Sequence, residues 1–154
     1  TKKDRTPQEK RFGVQIDSLS DLICFGVLPG VTVYAAARGA LYAALAAGLY
    51  VLAALIRLAW FNVDEEERQD TDNGQREMYL GLPVTTAALF LPTVLGLARL
   101  LHGPLPILGT ALLVVMALAF LSPFKLAKPR LPGMILMILM GCAELVIVFL
   151  GVKP

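Results

Sequence analysis

ALYAALAAGLYVLAALIRLAWFN, from Ala40 to Asn62, is an apolar run interrupted by one charge, Arg57. A helix of about 20 apolar residues crosses the ~30 Å hydrocarbon core of a bilayer. The run therefore predicts a membrane span, with Trp60 at the membrane–water boundary. Ala43 to Ala47 and Gly48 are small, and small residues let helices approach closely in lipid.

The rest of the chain repeats this pattern. Of 154 residues, 56% are hydrophobic and only 17% are charged. Soluble domains usually carry about 25% charged residues, so an ordinary soluble domain is disfavoured. Four further apolar runs predict spans over Phe12–Ala37, Gly81–Leu101, Leu105–Ser122 and Pro132–Val152. Pro29-Gly30 predicts a kink or a loosened turn, Pro92 a kink, and Pro83 a helix start. The expected fold is all-α: a polytopic integral membrane bundle of five transmembrane helices, forming a single domain over residues 1–154.

The segments between spans are short or polar. Thr1 to Arg11 reads as a solvated juxtamembrane stretch with basic residues suited to anionic headgroups. Val63 to Tyr79 reads as a solvated acidic loop. Its Asp70-Thr71-Asp72-Asn73-Gly74 lacks the ligand spacing and closing glutamate of a calcium loop. His102, in a His-Gly-Pro turn, reads as an interfacial loop residue. Cys24 and Cys142 read as buried small hydrophobes. Glu144, inside the fifth span, reads as a polar contact between helices.

Lysine and arginine bias sets orientation. Lys2, Lys3, Arg5, Lys10, Arg11, Arg68, Arg76, Lys125, Lys128 and Arg130 fall on one side; Arg38, Arg99 and Lys153 fall on the other. The first side, which holds the start of the chain, is expected to face the cytoplasm. The net charge of +2 and the lack of a basic stripe with interleaved aromatics argue against a nucleic-acid partner.

One stretch is out of place in a membrane chain. Gly13-Val14-Gln15-Ile16-Asp17-Ser18-Leu19-Ser20-Asp21 sets two carboxylates four residues apart at the cytoplasmic mouth of the first span. On a helix they stack along one face, about 6 Å apart in rise. An ionised carboxylate in hydrocarbon costs at least ~2.5–3.5 kcal/mol, and two on one face repel. A divalent cation between them would remove that penalty. Oxygen-only ligands favour magnesium, manganese or calcium over zinc. A solvated pair, or one balanced by Lys10 and Arg11, is the alternative. Topology gathers Gly13, Asp17, Asp21, Arg57 and Asn62 at one membrane face, which suits a phosphorylated substrate.

Gly13-x3-Asp17-x3-Asp21 resembles the second half of the CDP-alcohol phosphatidyltransferase signature. Phe12-Gly13, Asp17-Ser18-Leu19-Ser20-Asp21, Phe25-Gly26-Val27-Leu28-Pro29, Arg57-Leu58-Ala59, Phe61-Asn62, Gly81-Leu82-Pro83 and Ser122-Pro123-Phe124-Lys125 are similar, in order, to the phosphatidylserine synthase branch. The first half of the signature, an Asp-x-x-Asp-Gly-x-x-Ala-Arg run, is absent. An N-terminal truncation that removes the preceding helices is the expectation, and with it an inactive fragment. Trp60 departs from the branch, which has a second arginine there.

The resemblance implies phosphatidyl transfer from CDP-diacylglycerol to L-serine with release of CMP. It implies Mg2+ or Mn2+ held by Asp17 and Asp21, with Asp21 also the catalytic base. It implies that Gly13 lets the nucleotide approach and that Arg57 and Asn62 bind substrate, with Thr85 and Thr86 as weaker candidates. It also implies an enzyme of the cytoplasmic membrane, in contact with lipid, working as a homodimer. Glycerol phosphate or inositol phosphate is the alternative acceptor. A cation-coupled transporter is a rival of another class, but Leu22-Ile23-Cys24-Phe25 gives an ion little onward path. A purely structural membrane scaffold would tolerate loss of both carboxylates.

Overall fold

The computed structural model describes residues 6–71, 78–127, 138–143 and 146. The first helix, α1 (Pro7–Asp21), begins at a reciprocal cap. The Thr6 hydroxyl accepts from the Glu9 N–H at 3.2 Å, and the Glu9 carboxylate accepts from the Thr6 N–H at 2.9 Å. Pro7 lies in the first turn, where a missing N–H is harmless. No residue of α1 is buried.

The chain continues without a break through a widened turn, Leu22–Val27, into α2 (Leu28–Ala36). Within the widened turn hydrogen bonds span five residues; the Leu28 N–H donates to the Ile23 carbonyl. The loosened turn, one of the two outcomes expected at Pro29-Gly30, is present as this π-helical turn just before the proline. Pro29 cannot donate to the Phe25 carbonyl four residues back. The Tyr50 hydroxyl, from the next helix, donates to that carbonyl at 2.6 Å.

Arg38 (φ 53) and Gly39 (φ 77) then reverse the chain. The Arg38 N–H donates to the Ala35 carbonyl at 2.9 Å and the Gly39 N–H to the Tyr34 carbonyl at 3.1 Å, which closes the helix end. His102 (φ 53) and Gly103 repeat the same closure after the helix Ala87–Leu100.

α3 (Leu41–Thr71) is 31 residues long and overruns the expected boundary at Asn62. The first part of the supposed solvated loop is therefore helical. Asp64 to Arg68 are strongly polar, and the Glu65–Arg68 pair, one turn apart, closes at 2.6 Å. After α3 come β1 (Met78–Leu80), a 3-10 turn (Val84–Thr86), α4 (Ala87–Leu100), α5 (Leu105–Leu121) and β2 (Lys125–Ala127). Pro92 lies inside α4. β1 and β2 pair antiparallel, with Met78 opposite Ala127 and Leu80 opposite Lys125. The fold is all-α as expected, and the short ribbon puts part of the supposed basic loop, Lys125–Ala127, in a strand. Residues 138–143 are helical; the rest of the expected fifth span, Glu144 included, lies outside the described residues apart from residue 146, as do residues 72–77 of the acidic loop.

Two helices, Pro7–Ala36 and Leu41–Arg68, are long and apolar enough to cross a membrane. Val84–Leu100 and Leu105–Leu121 are shorter apolar helices. α3 packs between α2 and α5 around Val33, Tyr50, Ala54, Leu113, Met116 and Phe120. The small residues do what their size suggests. A Cβ on Gly30 would meet Ala47 Cβ at 3.4 Å, and one on Gly109 would meet Val33 Cγ2 at 3.2 Å. Thr32, Thr93 and Thr110 return their hydroxyls to the carbonyl four residues earlier, so each satisfies itself inside an apolar helix. Many large apolar side chains remain outside, among them Leu45, Leu49 and Leu52 of α3 and Val115 and Leu118 of α5. Cys24 and Cys142 are exposed rather than buried, because each sits on a face that no described element covers.

Gly81 joins the ribbon to the bundle. Its φ of 73 lies in the left-handed region, and a Cβ there would stand 2.9 Å from the Ser122 carbonyl oxygen. The backbone alone costs an L-residue roughly 1–2 kcal/mol in that region. Gly81→Ala is therefore expected to lower stability by at least that amount. The check is the thermal unfolding midpoint in detergent, which should fall by several degrees; an unchanged midpoint would show that the turn carries no strain.

Candidate functional site

The polar half of α1 and the C-terminal third of α3 stand apart and leave a groove of about 610 Å³ between them. Helical spacing lines it. Lys10, Val14, Asp17, Ser18 and Asp21 come from one stripe of α1. Leu58, Phe61, Asn62, Glu65 and Glu66 come from the facing stripe of α3. The floor is apolar, through Leu58 and Phe61, and the walls are charged.

Asp17 is exposed and Asp21 is half-buried where the helix enters the packed region. Neither makes an ion pair among the described residues. One hydrogen bond ties the walls together beside them: the Asn62 amide donates from Nδ2 to the Ser18 hydroxyl at 2.8 Å. The rim carries an exposed ion pair, Arg11 to Glu66 at 3.8 Å. Exposed pairs of this kind contribute little, about 0–1 kcal/mol. Glu65 is held from behind by Arg68, through Nε at 3.1 Å and Nη2 at 2.6 Å.

Asp17, Asp21 and Asn62, named as site residues from the sequence, are thus brought together. Gly13 lies one turn above Asp17, and nothing stands within 4 Å of where its Cβ would be. Arg57 is elsewhere. At about 100° per residue it lies about 140° round α3 from Asn62, on the other side of the helix. It borders a separate hollow of about 360 Å³ with Ile56, Trp60, Phe120 and Ser122. Its guanidinium is buried and donates to the carbonyls of Leu82 (3.1 Å) and Gly81 (3.3 Å). Thr86 returns its hydroxyl to the Pro83 carbonyl at 2.6 Å, and Thr85 is exposed beside it on the 3-10 turn.

The sequence reading missed Ser18, Glu65 and Glu66 as site residues. The glutamates carried a usable signal: Leu58, Asn62, Glu65 and Glu66 continue the helical spacing of α3 beyond its apolar part.

Two carboxylates one helical turn apart are hard oxygen donors that suit Mg2+ or Mn2+. Among the described residues no group of three or more His, Cys, Asp or Glu side chains could by itself hold a metal ion. The pair alone falls short of a metal site; Mg2+ sites with few carboxylates are completed by water and substrate phosphate oxygens.

No protein-family profile matches the chain. No solved structure matches it. Three relatives do. It is 33% identical over 124 residues to the archaetidylserine synthase of Methanothermobacter thermautotrophicus, covering 80% of this chain and 47% of that protein. It is 36% identical over 88 residues to the CDP-diacylglycerol–serine O-phosphatidyltransferase of Saccharomyces cerevisiae, covering 56% of this chain and 31% of that one. It is 33% identical over 89 residues to the enzyme of the same name from Helicobacter pylori, covering 56% and 35%. The chain spans about a third to a half of the length of these relatives. Along the part they match, the chain is similar to the phosphatidylserine synthase branch of the CDP-alcohol phosphatidyltransferase family.

Proposed function

We propose that the protein of which this chain is part transfers a phosphatidyl group from CDP-diacylglycerol to L-serine. The supporting observation is the groove in which Asp17 and Asp21 of α1 face Asn62 of α3, in a chain whose relatives are named as serine-transfer enzymes. The serine hydroxyl oxygen forms a new bond to the lipid-linked phosphorus. The bond from that phosphorus to the bridging oxygen breaks, and CMP leaves. Asp21 takes the hydroxyl proton; its half-buried position at the floor of the groove supports that role.

Asp17 and Asp21 would hold a divalent cation, Mg2+ or Mn2+, which would neutralise the diphosphate and polarise its phosphorus. Asn62, fixed on Ser18, orients the groove wall against the substrate. Gly13 leaves open backbone for the nucleotide. A substrate contact through Arg57 would be made on the far side of α3, in the hollow beside Trp60. Glu65 and Glu66 on the groove wall oppose an acceptor that brings its own phosphate, which favours serine over glycerol phosphate or inositol phosphate. The exposed apolar faces of α3 and α5 support a membrane-embedded bundle. The lysine and arginine bias supports a groove open to the cytoplasm.

The test is CMP release by the full-length protein in detergent with CDP-diacylglycerol, serine and Mn2+. Asp21→Asn is expected to slow it by about 10²–10⁴-fold, the usual size of a general-base contribution. Asp17→Asn should likewise be severely impaired, and chelation should stop the reaction. Glycerol phosphate and inositol phosphate in place of serine should release little CMP. No CMP with serine under any metal would sink the proposal.

A second expectation concerns the wall contact. Asn62→Ala removes one neutral hydrogen bond, worth about 0.5–1.5 kcal/mol, and so should lower kcat/KM by roughly threefold to tenfold. Ser18→Ala should do the same, and the double variant should be no worse than either alone. Additive losses would mean the two side chains act separately.

A further inference from the structure

Gly13, Asp17, Asp21, Phe25, Pro29, Val33 and Ala37 follow one another at steps of four. In an α-helix a four-residue step overshoots a full turn by about 40°, so the line from Asp21 to Ala37 would wind through about 160°. Yet both ends of that line face the same neighbour. Pro29, Val33 and Ala37 are buried in the packed region, and Asp21 opens into the groove against α3. The widened turn Leu22–Val27 reconciles the two. One extra residue in that turn sets the phase back by roughly 100° and brings the carboxylate stripe round onto α3.

A widened turn needs a reason to persist, and two are present. Pro29 offers no N–H to the Phe25 carbonyl, so the regular bond at that point cannot form. Tyr50, fully buried, donates its hydroxyl to the same carbonyl at 2.6 Å, with its ring against Phe120 at a centroid distance of 5.5 Å. Gly26 makes room: a Cβ there would meet Leu22 Cδ1 at 3.1 Å and Ala54 Cβ at 3.4 Å.

We propose that Tyr50 is a positioning residue for the Asp17–Asp21 pair. By holding the Phe25 carbonyl that Pro29 cannot serve, it maintains the widened turn that aims both carboxylates at α3. Tyr50 touches neither the groove nor anything bound in it; it acts through the helix that carries the acids. Its kinetic consequence rests on the transfer reading above, while its geometric consequence does not.

The test uses the full-length protein with Cys24→Ala and Cys142→Ala. Nitroxide labels are placed at Gln8→Cys on α1 and Val63→Cys on α3, both exposed. Pulsed dipolar spectroscopy then reads the distance across the groove. Tyr50→Phe keeps the ring and removes only the donor, and is expected to shift or broaden the label distance. Leu113→Ala, which opens a cavity in α5, loosens the core without touching the turn and should leave the distance as it was. In the activity assay Tyr50→Phe should lower kcat by roughly 10–100-fold with KM for CDP-diacylglycerol unchanged, as expected for misplaced catalytic groups. A Tyr50→Phe distribution superimposable on the wild type, or an equal shift in Leu113→Ala, overturns the proposal. If the wild type releases no CMP but the distance still shifts, the positioning role stands and the transfer reading falls.

Discussion

The Phe25 carbonyl must find a donor inside an apolar helix, and Pro29 denies it the usual one. In lipid an unserved carbonyl costs several kcal/mol, and no water is at hand to relieve it. The donor comes from Tyr50 on the neighbouring helix. The bond fixes where α2 meets α3 along their length, and the rest follows from that registration. Gly26 lies against Ala54 and Gly30 against Ala47, where a Cβ would stand 3.4 Å from the alanine Cβ in each case. Val33 then reaches the centre of the core, and Gly109 of α5 closes over it.

The same registration separates two polar regions on α3. One face of its C-terminal end carries Asn62, Glu65 and Glu66 towards α1; the other carries Arg57 towards the Gly81-Leu82 turn. Arg57 is a cation in an apolar wall, and two carbonyl oxygens meet it there. Charged residues placed in such helices face the bundle interior and take partners within it. The groove, by contrast, is kept apart by its own shape. α1 buries no residue, and one short hydrogen bond, Asn62 to Ser18, spans the gap.

Much of this was legible in the residues, and the misses have physical causes. The long apolar runs fixed the helices and their order, because hydrocarbon leaves a chain few other choices. The Asp17–Asp21 spacing pointed to the groove that both carboxylates line. The boundary at Asn62 failed because hydropathy measures where a span leaves lipid, not where a helix stops; Asp64 to Arg68 are polar and still good helix residues. Pro29 was read as a kink or a loosened turn because its missing N–H is visible in sequence, while the donor that serves the Phe25 carbonyl, Tyr50, is 21 positions away and left no such mark. Arg57 was grouped with the acids by topology, which knows the side of the membrane and not the side of the helix. The ribbon left no signal at all: three-residue strands take their pairing from the ends of the helices that deliver them.

The ribbon has a consequence for assembly. Leu80 and Lys125 face each other across a segment that contains the whole α4–α5 hairpin. Their pairing can close only after that hairpin has folded back on itself, since until then the two strands have no reason to meet. The carbonyls that receive Arg57 adjoin this ribbon, so the arginine emerges from synthesis well before its acceptors are in place. During that interval its charge must be served by water or lipid headgroups. The C-terminal end of α3 therefore has to stay wet until the last strand arrives, and only the finished bundle draws the guanidinium inside.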